Sequence, residues 1–525
     1  MQEMRRRQHE DAILAIISIY TAGVAFCCMG LVLFFCLNHV LITDETTLSS
    51  FSAYSRNGSK PLRHLLEISS TNCTPPGIEQ FPQPLMRYEV RRAGGLALHI
   101  FVALYMFLGL AIVCDKYFMS AVEKMCEVFK MKSDVAGATF MAAGSSAPEL
   151  ATAVIGVFVA KDDIGIGTVV GSAVYNIAFV ISICGLFAGR EIYLNWWPLF
   201  RDCFFYLISI FTLLWTIYNE EVSWIESVVL LSLYGAYLAF MFVNERVEKW
   251  VKNLSCPCEL SKHNFQENSH NVVYKRLCDD ETVVLAEDME KSDDNVNGDL
   301  DKLENFTRTN DVENLSPFHI PQKLHRAFMW AISLPITVLC YFTIPDCRLE
   351  RWKNWYLVTF LMSCVWISGL CYILVWFITI IGFTLHIPDT VMGLTFLAAG
   401  VSVPDAISSL LVVQEGMGDM AISNAVGSNV FDILLCLGLP WFLQTAVMKP
   451  GSFVKVYSKG LTYSTVTLLS TVVFLLVATH CNGWKLDKKY GVILFIWYLL
   501  FMVLASLYEL NVFGYFNPPE CPSNY

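Results

Sequence analysis

Charged residues are scarce in this sequence of 525 residues. Asp, Glu, Lys and Arg together make up 16% of it, whereas a soluble domain usually has about 25%. Hydrophobic residues make up 55%, and they lie in long blocks. A soluble chain of this size would instead split into domains joined by polar linkers. The low charge therefore excludes an ordinary soluble protein and predicts a polytopic membrane protein.

Nucleotide-binding and nucleic-acid-binding patterns are also lacking. The sequence has no Walker motif and no basic patch interleaved with aromatic residues. The formal net charge of −11 comes mostly from one polar segment at 253–325, so it says little about the apolar blocks. We therefore expect a protein that is not an enzyme, uses no cofactor and binds no nucleic acid.

The amino-terminal region predicts a targeting segment followed by an extracellular segment. Three arginines at 5–7 precede an apolar run at 13–42, so residues 1–42 are either a cleaved signal peptide or a signal anchor. Residues 43–94 would follow outside the cell. This segment contains two sequons, whose asparagines we expect to be glycosylated: Asn57 and Asn72.

Ten apolar blocks are long enough for membrane-spanning helices, which need about twenty residues each. Those in the first half lie near 95–117, 135–160, 164–188, 199–218 and 222–243. Those in the second half lie near 355–381, 389–413, 420–443, 459–480 and 489–511. The predicted fold class is an all-α membrane protein with about ten core helices.

Three further segments complete the predicted organisation. Segment 244–326 has many charges and few aromatic residues, so we expect a flexible cytosolic loop. The apolar stretch 327–344 contains Pro335 and is followed by Pro345, so we expect an interfacial or re-entrant helix there. Residues 512–525 would form an extracellular tail.

The chain contains two copies of one membrane unit. LAAGVSVPDA at 397–406 aligns with MAAGSSAPEL at 141–150 at a fixed offset of 256 residues, and such matching indicates an internal repeat. We therefore predict two five-helix repeats, at 95–243 (motif 134–178) and 352–511 (motif 389–434). Glycines, prolines and polar residues align in this register: Gly137 with Gly393, Gly144 with Gly400, Pro148 with Pro404, and Asn176 with Asp432.

The two copies are expected to run in opposite directions through the membrane. Four predicted crossings separate the copies, provided that 327–344 does not span. Basic residues in short loops favour the cytoplasm, and three of them follow that stretch: Arg348, Arg351 and Lys353. Three other basic residues fall on the opposite side, against the trend: Arg91, Arg92 and Lys449.

Acidic and hydroxyl side chains recur inside the apolar blocks at helical spacing. A carboxylate in the bilayer costs a few kcal/mol or more to bury, so it survives where it faces a cavity or a cation. Residues three or four apart share one helix face. If the copies pack about a two-fold axis, Glu149 and Asp405 can meet at the midplane. The alternative, an acid that only bonds a neighbouring helix, is less favoured because the acids match across both copies.

The predicted ligands are all oxygen atoms, which hard cations such as calcium, sodium and potassium prefer. Pro148 and Pro404 each remove a helical hydrogen bond, which favours a broken helix beside the acids. The predicted set comprises carboxylates, an amide, hydroxyls and backbone carbonyls: Glu149, Asp405, Asp432, Asn176, Ser145, Ser146, Ser172, Ser402, Ser428, Ala142 and Ala398.

Most of the 18 cysteines lie in apolar blocks, where cysteine usually acts as a small hydrophobic residue. Cys73 and Cys521 lie outside the blocks, in segments that we place outside the cell. A disulfide between them and two free thiols are both compatible with the sequence, since connectivity does not follow from sequence.

The motifs GSSAPE at 144–149 and SVPD at 402–405 resemble the signature repeats of the sodium/calcium exchanger superfamily. FMAAGSSAPEL, GDMAISNAVGSNVFDI and IPDTVMGLTFLAAG resemble the potassium-dependent exchangers more closely, and YELNVFGYFNPPEC and PDCRLERWKNW are similar to their forms 3 and 4. The resemblance covers nearly all the apolar sequence. It implies an alternating-access antiporter in which sodium moving inward drives calcium and potassium outward.

The resemblance also implies roles for individual residues. Glu149 and Asp405 would be the central calcium and sodium ligands, and Asp432 would confer potassium binding, since the potassium-independent branch resembles an asparagine there. Three carboxylates would balance one calcium and one potassium ion. Val401 departs from the family, which usually has threonine at this position, so we expect an altered ion affinity.

Three other functions compete with this interpretation: a potassium-independent sodium/calcium exchanger, a calcium/proton antiporter, and a channel or passive receptor. The resemblance favours the plasma membrane as the location, with an intracellular organelle membrane as the alternative.

Overall fold

The computed structural model describes residues 76–84, 86–128, 142–160, 163–188, 191–253, 324–414, 418–456, 459–514 and 521. The chain forms two compact units, one comprising Gly77–Phe516 with Tyr525, and the other Met1–Pro76 with Asn517–Asn524. All helices and strands given below belong to the first unit.

Several predictions concern residues outside the described ranges. These include the segment 1–42, the sequons at Asn57 and Asn72, and Cys73. In the second unit, Cys521 is disulfide-bonded. Its pairing with Cys73 stays a prediction, because Cys73 lies outside the described residues.

The first half of the chain contributes six described helices. After a short 3-10 turn at Gly77–Gln80 they are α1 (Tyr88–Cys126), α2 (Ala142–Ser145), α3 (Ala147–Ala160), α4 (Ile164–Phe187), α5 (Trp196–Ile217) and α6 (Trp224–Asn253).

The second half contributes seven described helices. They are α7 (Leu324–Thr343), α8 (Tyr356–Leu385, entered through a 3-10 turn at Glu350–Trp355), α9 (Asp389–Val401), α10 (Val403–Gln414), α11 (Gly418–Met448), α12 (Lys459–Cys481) and α13 (Lys488–Glu509).

The described helices confirm a polytopic, mainly helical membrane protein. Eight of them are long and apolar enough to cross a bilayer, and the bent pair α9–α10 makes a ninth. The predicted span at 135–160 is described only from residue 142, as α2 and α3, so the tenth predicted helix is not fully described.

Helix ends differ from the predicted ones where charged residues continue a helix. The helix α6 runs on to Asn253 instead of ending near 243. Hydropathy marks only the apolar part of a helix, whereas backbone hydrogen bonding extends through residues such as Arg246. The helix α6 therefore extends into the predicted cytosolic segment 244–326. The turns of α1 from Tyr88 are separated from its apolar part by Gly94, whose φ of 126° is not helical, so the regular helix begins at Leu96, as predicted.

The helix α4 lies at the centre of the fold. Every residue of α4 up to Gly185 is buried, which is typical of a helix that is apolar on all sides. The helices α5, α12 and α13 instead expose apolar side chains, as expected for surfaces facing lipid; examples are Phe211, Trp215, Val477 and Ile496.

Glycines allow α4 and α9 to approach closely. A Cβ atom added to Gly171 would lie 2.2 Å from the Leu394 carbonyl oxygen, and one added to Gly393 would lie 2.7 Å from the Ile164 carbonyl oxygen. Only residues without a side chain fit such contacts. Gly393 therefore permits tight packing, and so does Gly400, which faces the Phe107 ring.

Two short antiparallel ribbons join the halves of the chain. The strand β1 (Ile192–Tyr193) follows α4, and β2 (Glu221–Val222) follows α5. The strand β3 (Val454–Lys455) follows α11, and β4 (Lys485–Leu486) follows α12. β1 pairs with β4, and β2 pairs with β3. Each ribbon thus takes one strand from each half.

The helix α7 packs against α1. A Cβ atom added to Gly109 of α1 would lie 2.3 Å from Ile336 Cδ1, and Trp366 Nε1 of α8 donates to Thr343 Oγ1 at the end of α7 at 2.9 Å. The stretch predicted at 327–344 belongs to this helix, which continues through Pro335.

Candidate cation site

Both copies of the repeat break their helix at the same position. Ser146 separates α2 from α3 with φ −93° and ψ 16°, and Ser402 separates α9 from α10 with φ −87° and ψ 9°. The pair α9–α10 bends by 41° at this break. The prolines two residues later supply no backbone N–H to the preceding turn. The predicted broken helices are confirmed in both copies.

Glu149 lies one turn beyond the first break and contacts the second break. Its Oε1 accepts a hydrogen bond from Ser402 Oγ at 3.0 Å. The Thr152 hydroxyl donates to the Glu149 carbonyl at 2.9 Å, and Ser408 does the same for the Asp405 carbonyl at 3.1 Å. The breaks of the two halves therefore lie side by side, each with its acid on the adjoining turn.

Asn176 is the hub of the polar network. Its Nδ2 lies 3.2 Å from Asp405 Oδ2, 3.4 Å from Ser428 Oγ and 3.2 Å from Asn429 Oδ1. Asn176 lies on α4, whereas its three partners lie on α10 and α11. The Asn176 amide therefore connects α4 of the first half to α10 and α11 of the second half.

Asp432 sits in the middle of α11, at the start of a π-helical turn spanning Asp432–Leu437. Asn176 lies in the equivalent π-helical turn of α4, Tyr175–Val180. Such turns are often found at functional sites, because they shift side chains relative to a regular helix. Asp432 Oδ1 lies 3.8 Å from Cys436 Sγ.

The remaining predicted ligands are less directly engaged. The Ser145 hydroxyl interacts with the Asp405 carboxylate. Ser172 donates to the Val169 carbonyl of its own helix at 3.0 Å. The Ala398 carbonyl accepts the Ser402 amide at 3.2 Å, so only its second lone pair remains for a cation. Ala142 lies at the start of α2, in the position equivalent to Ala398.

The three carboxylates are buried, and none forms an ion pair with a basic side chain of the described residues. Glu149 and Asp432 are 0% exposed, and Asp405 is 1% exposed. Among the described residues, the ion pairs involve other acids: Asp202, Asp346 and Glu191. Burying an uncompensated charge is very costly, so each of these acids is neutralised either by a proton or by a cation that the described residues do not supply.

Buried oxygen atoms remain available for that charge. Within the described part of the chain, each carboxylate has one buried oxygen that accepts no hydrogen bond, and so does the Asn176 amide. Hard cations take such oxygen ligands. The atoms concerned are Glu149 Oε2, Asp405 Oδ1, Asp432 Oδ2 and Asn176 Oδ1.

The acids share one region but not one compact centre. Glu149 lies within electrostatic range of Asp432 and Asp405. No three Asp, Glu, His or Cys side chains of the described ranges gather closely enough to hold one metal ion together. The neutral oxygens between the acids are therefore needed to complete any coordination shell.

Three contacting residues were missed from the sequence. Asn429 donates to the Ala173 carbonyl at 3.2 Å, and its repeat equivalent is Ala173 itself, so the comparison of copies gave no signal. Cys436 contacts Asp432, and Cys371 Sγ lies 3.8 Å from the Pro148 carbonyl. The one sequence signal for these residues is the four-residue spacing from Asp432 to Cys436, which places both side chains on one helix face.

A helical membrane protein with fully buried acids and unpartnered oxygens beside broken helices is built to bind cations within the bilayer. The family model described as "Sodium/calcium exchanger protein" matches residues 99–243 and 355–507, more than half of the chain. The chain belongs to this family.

Three relatives share high identity over most of their length. The probable sodium/potassium/calcium exchanger CG1090 of Drosophila melanogaster is 48% identical, over 92% of this chain and 90% of the relative. The human sodium/potassium/calcium exchanger 5 is 42% identical, over 85% and 90%. The human sodium/potassium/calcium exchanger 3 is 38% identical, over 86% and 87%. The relatives thus include form 5 as well as form 3.

Proposed function

We propose that the chain is a potassium-dependent sodium/calcium antiporter. Sodium moving inward drives calcium and potassium outward through one alternating-access site. The observation that carries this proposal is the set of three buried carboxylates, which face no positively charged side chain among the described residues. The names of the relatives, all sodium/potassium/calcium exchangers, point to the same three ions.

Charge balance supports the simultaneous binding of calcium and potassium. When all three acids are ionised, Glu149, Asp405 and Asp432 contribute three negative charges, and one calcium with one potassium ion contributes three positive charges. Because an unbalanced charge is costly inside the bilayer, a partly loaded site is disfavoured. Sodium ions replace this load on the return half of the cycle.

The ribbons support an inverted arrangement of the two copies. β2 and β3 pair, so their connections lie on one side of the membrane. Two strands lie on the same side only when the chain crosses the membrane an even number of times between them. α6, α8, the bent pair α9–α10 and α11 make four crossings, and α7 as a fifth would separate the strands. We therefore treat α7 as an interfacial or re-entrant helix and the second copy as inverted.

The experiment that tests this function uses the purified full chain in sealed vesicles. Calcium flux is measured with and without a sodium gradient, and with and without potassium. Flux that needs both ions supports the proposal. Flux that needs sodium alone indicates a potassium-independent exchanger, flux that follows a pH gradient without sodium indicates a calcium/proton antiporter, and flux without countertransport indicates a channel.

Asp432→Asn tests the assignment of the potassium ligand. The neutral amide removes one negative charge while keeping a similar shape, so the balanced load becomes calcium alone. We expect the stimulation of sodium-dependent calcium flux by potassium to be lost, with calcium flux itself retained. Asp419→Asn, an acid at the start of the same helix, is the matched control and should keep potassium dependence. Unchanged potassium dependence in Asp432→Asn would contradict the assignment.

We assign the protein to the plasma membrane, with segment 1–42 as signal peptide or anchor, segment 43–94 and the tail outside the cell, and the polar segment 244–326 in the cytosol. Surface biotinylation of intact cells separates this location from an organelle membrane.

Two further experiments test the extracellular segment. Loss of the glycan mobility shift in Asn57→Gln and Asn72→Gln tests the predicted glycosylation. The electrophoretic mobility of Cys73→Ser under non-reducing conditions tests the disulfide to Cys521.

A further inference from the structure

Cys436 touches both halves of the cation site. Its Sγ lies 3.8 Å from Asp432 Oδ1 on the same helix and 4.0 Å from the Ser146 carbonyl oxygen at the break between α2 and α3. Both distances lie within the range of weak hydrogen bonds of a thiol. The side chain is 0% exposed. One thiol therefore connects the acid on α11 to the broken helix of the other half.

The thiol occurs only in the half that has the aspartate. At the fixed offset of 256 residues, Cys436 corresponds to Val180, and Asp432 corresponds to Asn176. In each half, the two residues lie in one π-helical turn: Asn176 with Val180 in the first, and Asp432 with Cys436 in the second. A valine cannot donate a hydrogen bond. The half that has the carboxylate of Asp432 therefore also has a hydrogen-bond donor, the Cys436 thiol, which the other half lacks.

The geometry divides the two oxygens of Asp432 between two tasks. Oδ1 faces the thiol, whereas Oδ2 is buried and has no described hydrogen-bond donor within normal distance. The Ser146 hydroxyl also interacts with this carboxylate. A donor on Oδ1 restricts rotation of the carboxylate and keeps Oδ2 available for a cation. Because the thiol has a single proton, it donates either to Asp432 or to the Ser146 carbonyl, and not to both fully.

We propose that Cys436 is a positioning residue that sets the affinity for potassium. Its thiol orients the Asp432 carboxylate toward the bound ion and fixes it against the break at Ser146, without coordinating the ion itself. This inference rests on the proposed function, because it takes Asp432 as the potassium ligand.

The test compares Cys436→Val, Cys436→Ala and Cys436→Ser in the full chain. Valine reproduces the residue of the other half, alanine removes the donor without crowding, and serine restores a donor. Sodium-dependent calcium flux in vesicles is measured over a range of potassium concentrations. In Cys436→Val and Cys436→Ala we expect the half-saturating potassium concentration to rise roughly three- to ten-fold, as for loss of one ordinary hydrogen bond. The maximal rate and the half-saturating calcium concentration should stay close to those of the parent.

Cys436→Ser should return the potassium response to within about two-fold of the parent, since a hydroxyl is the stronger donor. Cys184→Val removes a buried thiol from α4 and should leave the potassium response unchanged. A second measurement, independent of transport, is the potassium concentration that half-maximally raises the Tm of the purified protein, and it should shift in parallel with the transport value.

The outcomes separate this inference from the proposed function. If the parent shows no potassium dependence, the proposed function fails and the inference falls with it. If the parent depends on potassium but Cys436→Ala responds to potassium like the parent, the inference alone is overturned. A purely structural role is indicated if Cys436→Ala and Cys436→Ser lower the maximal rate or the Tm equally while the potassium response stays the same, and this result also overturns it.

Discussion

Glu149 and Asp405 occupy equivalent positions in the two copies but have different neighbours. Asp405 interacts with the hydroxyl of Ser145. At the offset of 256 residues, the equivalent of Ser145 is Val401, which is buried and has no hydroxyl. Glu149 therefore lacks the counterpart of a contact that Asp405 has, and its Oε2 accepts no hydrogen bond from the described residues. The departure of Val401 from the family pattern thus falls beside Glu149, the proposed calcium ligand.

Val401→Thr should strengthen calcium binding. The added hydroxyl would supply Glu149 with the neighbour that Ser145 supplies to Asp405, and a further neutral oxygen suits a calcium ion. We expect the half-saturating calcium concentration for transport to fall about two- to five-fold, corresponding to part of a hydrogen bond. The measurement is calcium flux at saturating potassium with a fixed sodium gradient.

The control for this change is Val472→Thr, which places the same hydroxyl at a buried position on α12. It should leave the calcium affinity unchanged. An unchanged or weaker calcium affinity in Val401→Thr would show that the two-fold equivalence does not extend to the surroundings of Glu149.

At the residue scale, the repeat predicted which polar residues of the two halves lie together. Glu149, Ser402, Asp405, Asn176 and Ser428 follow from matching two motifs, and contacts within the described residues join them. Neither Asn429 nor Cys436 could be found this way, because their equivalents are Ala173 and Val180. A repeat reveals what the copies share, whereas residues that distinguish one copy become visible only when the helices are packed.

At the scale of elements, close helix contact positions the ligands. The helix α4 carries Asn176, and it reaches the acids only because Gly171 allows the backbone of α9 to approach. A Cβ atom at Gly171 would lie 2.2 Å from the Leu394 carbonyl oxygen and 2.7 Å from Ala398 Cβ. Neither neighbour is the end of a flexible side chain, so the helices themselves would have to separate.

Gly171→Ala should therefore destabilise the protein and impair transport. We expect the free energy of unfolding to fall by about 1–3 kcal/mol, the usual cost of overpacking, with a lower Tm in detergent and reduced calcium flux. Gly235→Ala on α6 is the control, since a Cβ atom there meets no described atom within 4 Å. Equal Tm values for the two variants would contradict the close approach of α4 and α9.

Sequence could predict the existence of most elements but not their pairing. Apolar runs locate the helices, and Pro148 and Pro404 locate the breaks, since proline has a fixed local effect. The π-helical turns at Tyr175–Val180 and Asp432–Leu437 have no comparable sequence signal. The strands β1–β4 contain two residues each, too few for a recognisable alternation, and their pairing depends on where the two halves dock.

At the scale of the whole molecule, the pairing of the ribbons is consistent with a two-fold relation between the halves. The strands β1 and β3 are equivalent, because β1 follows α4 and β3 follows α11, the helix equivalent to α4 in the second half. In the same way, β2 follows α5 and β4 follows the equivalent helix α12. Exchanging the halves turns the pair β1·β4 into β3·β2, and both pairs occur. The proposed two-fold relation between inverted copies would account for this reciprocity, whereas parallel copies would place the strands of each pair on opposite sides of the membrane.

A cross-link between the halves tests this arrangement. Glu221 and Lys455 are directly paired in the ribbon β2·β3, and paired strand residues have Cα atoms close enough for a disulfide. With Glu221→Cys and Lys455→Cys together, oxidation should join the halves. A protease site inserted in the polar segment 254–323 then yields two fragments that stay together until reduction.

The cross-link is measured in a Cys521→Ser background, so that the native disulfide cannot join the fragments. Glu221→Cys combined with Lys485→Cys, which belongs to the other ribbon, is the control and should give separate fragments. A cross-link in the control, or separate fragments in the paired variant, would exclude the inverted arrangement.

The most direct test of the central claim is whether calcium and potassium move together. Vesicles containing the purified protein are loaded with sodium, and uptake of radioactive calcium is measured alongside radioactive rubidium as a stand-in for potassium. Because three carboxylates balance one ion of each kind, we expect about one rubidium ion to enter for each calcium ion, and neither to enter when the other or the sodium gradient is absent. Calcium uptake without rubidium, at saturating rubidium, would contradict a shared site.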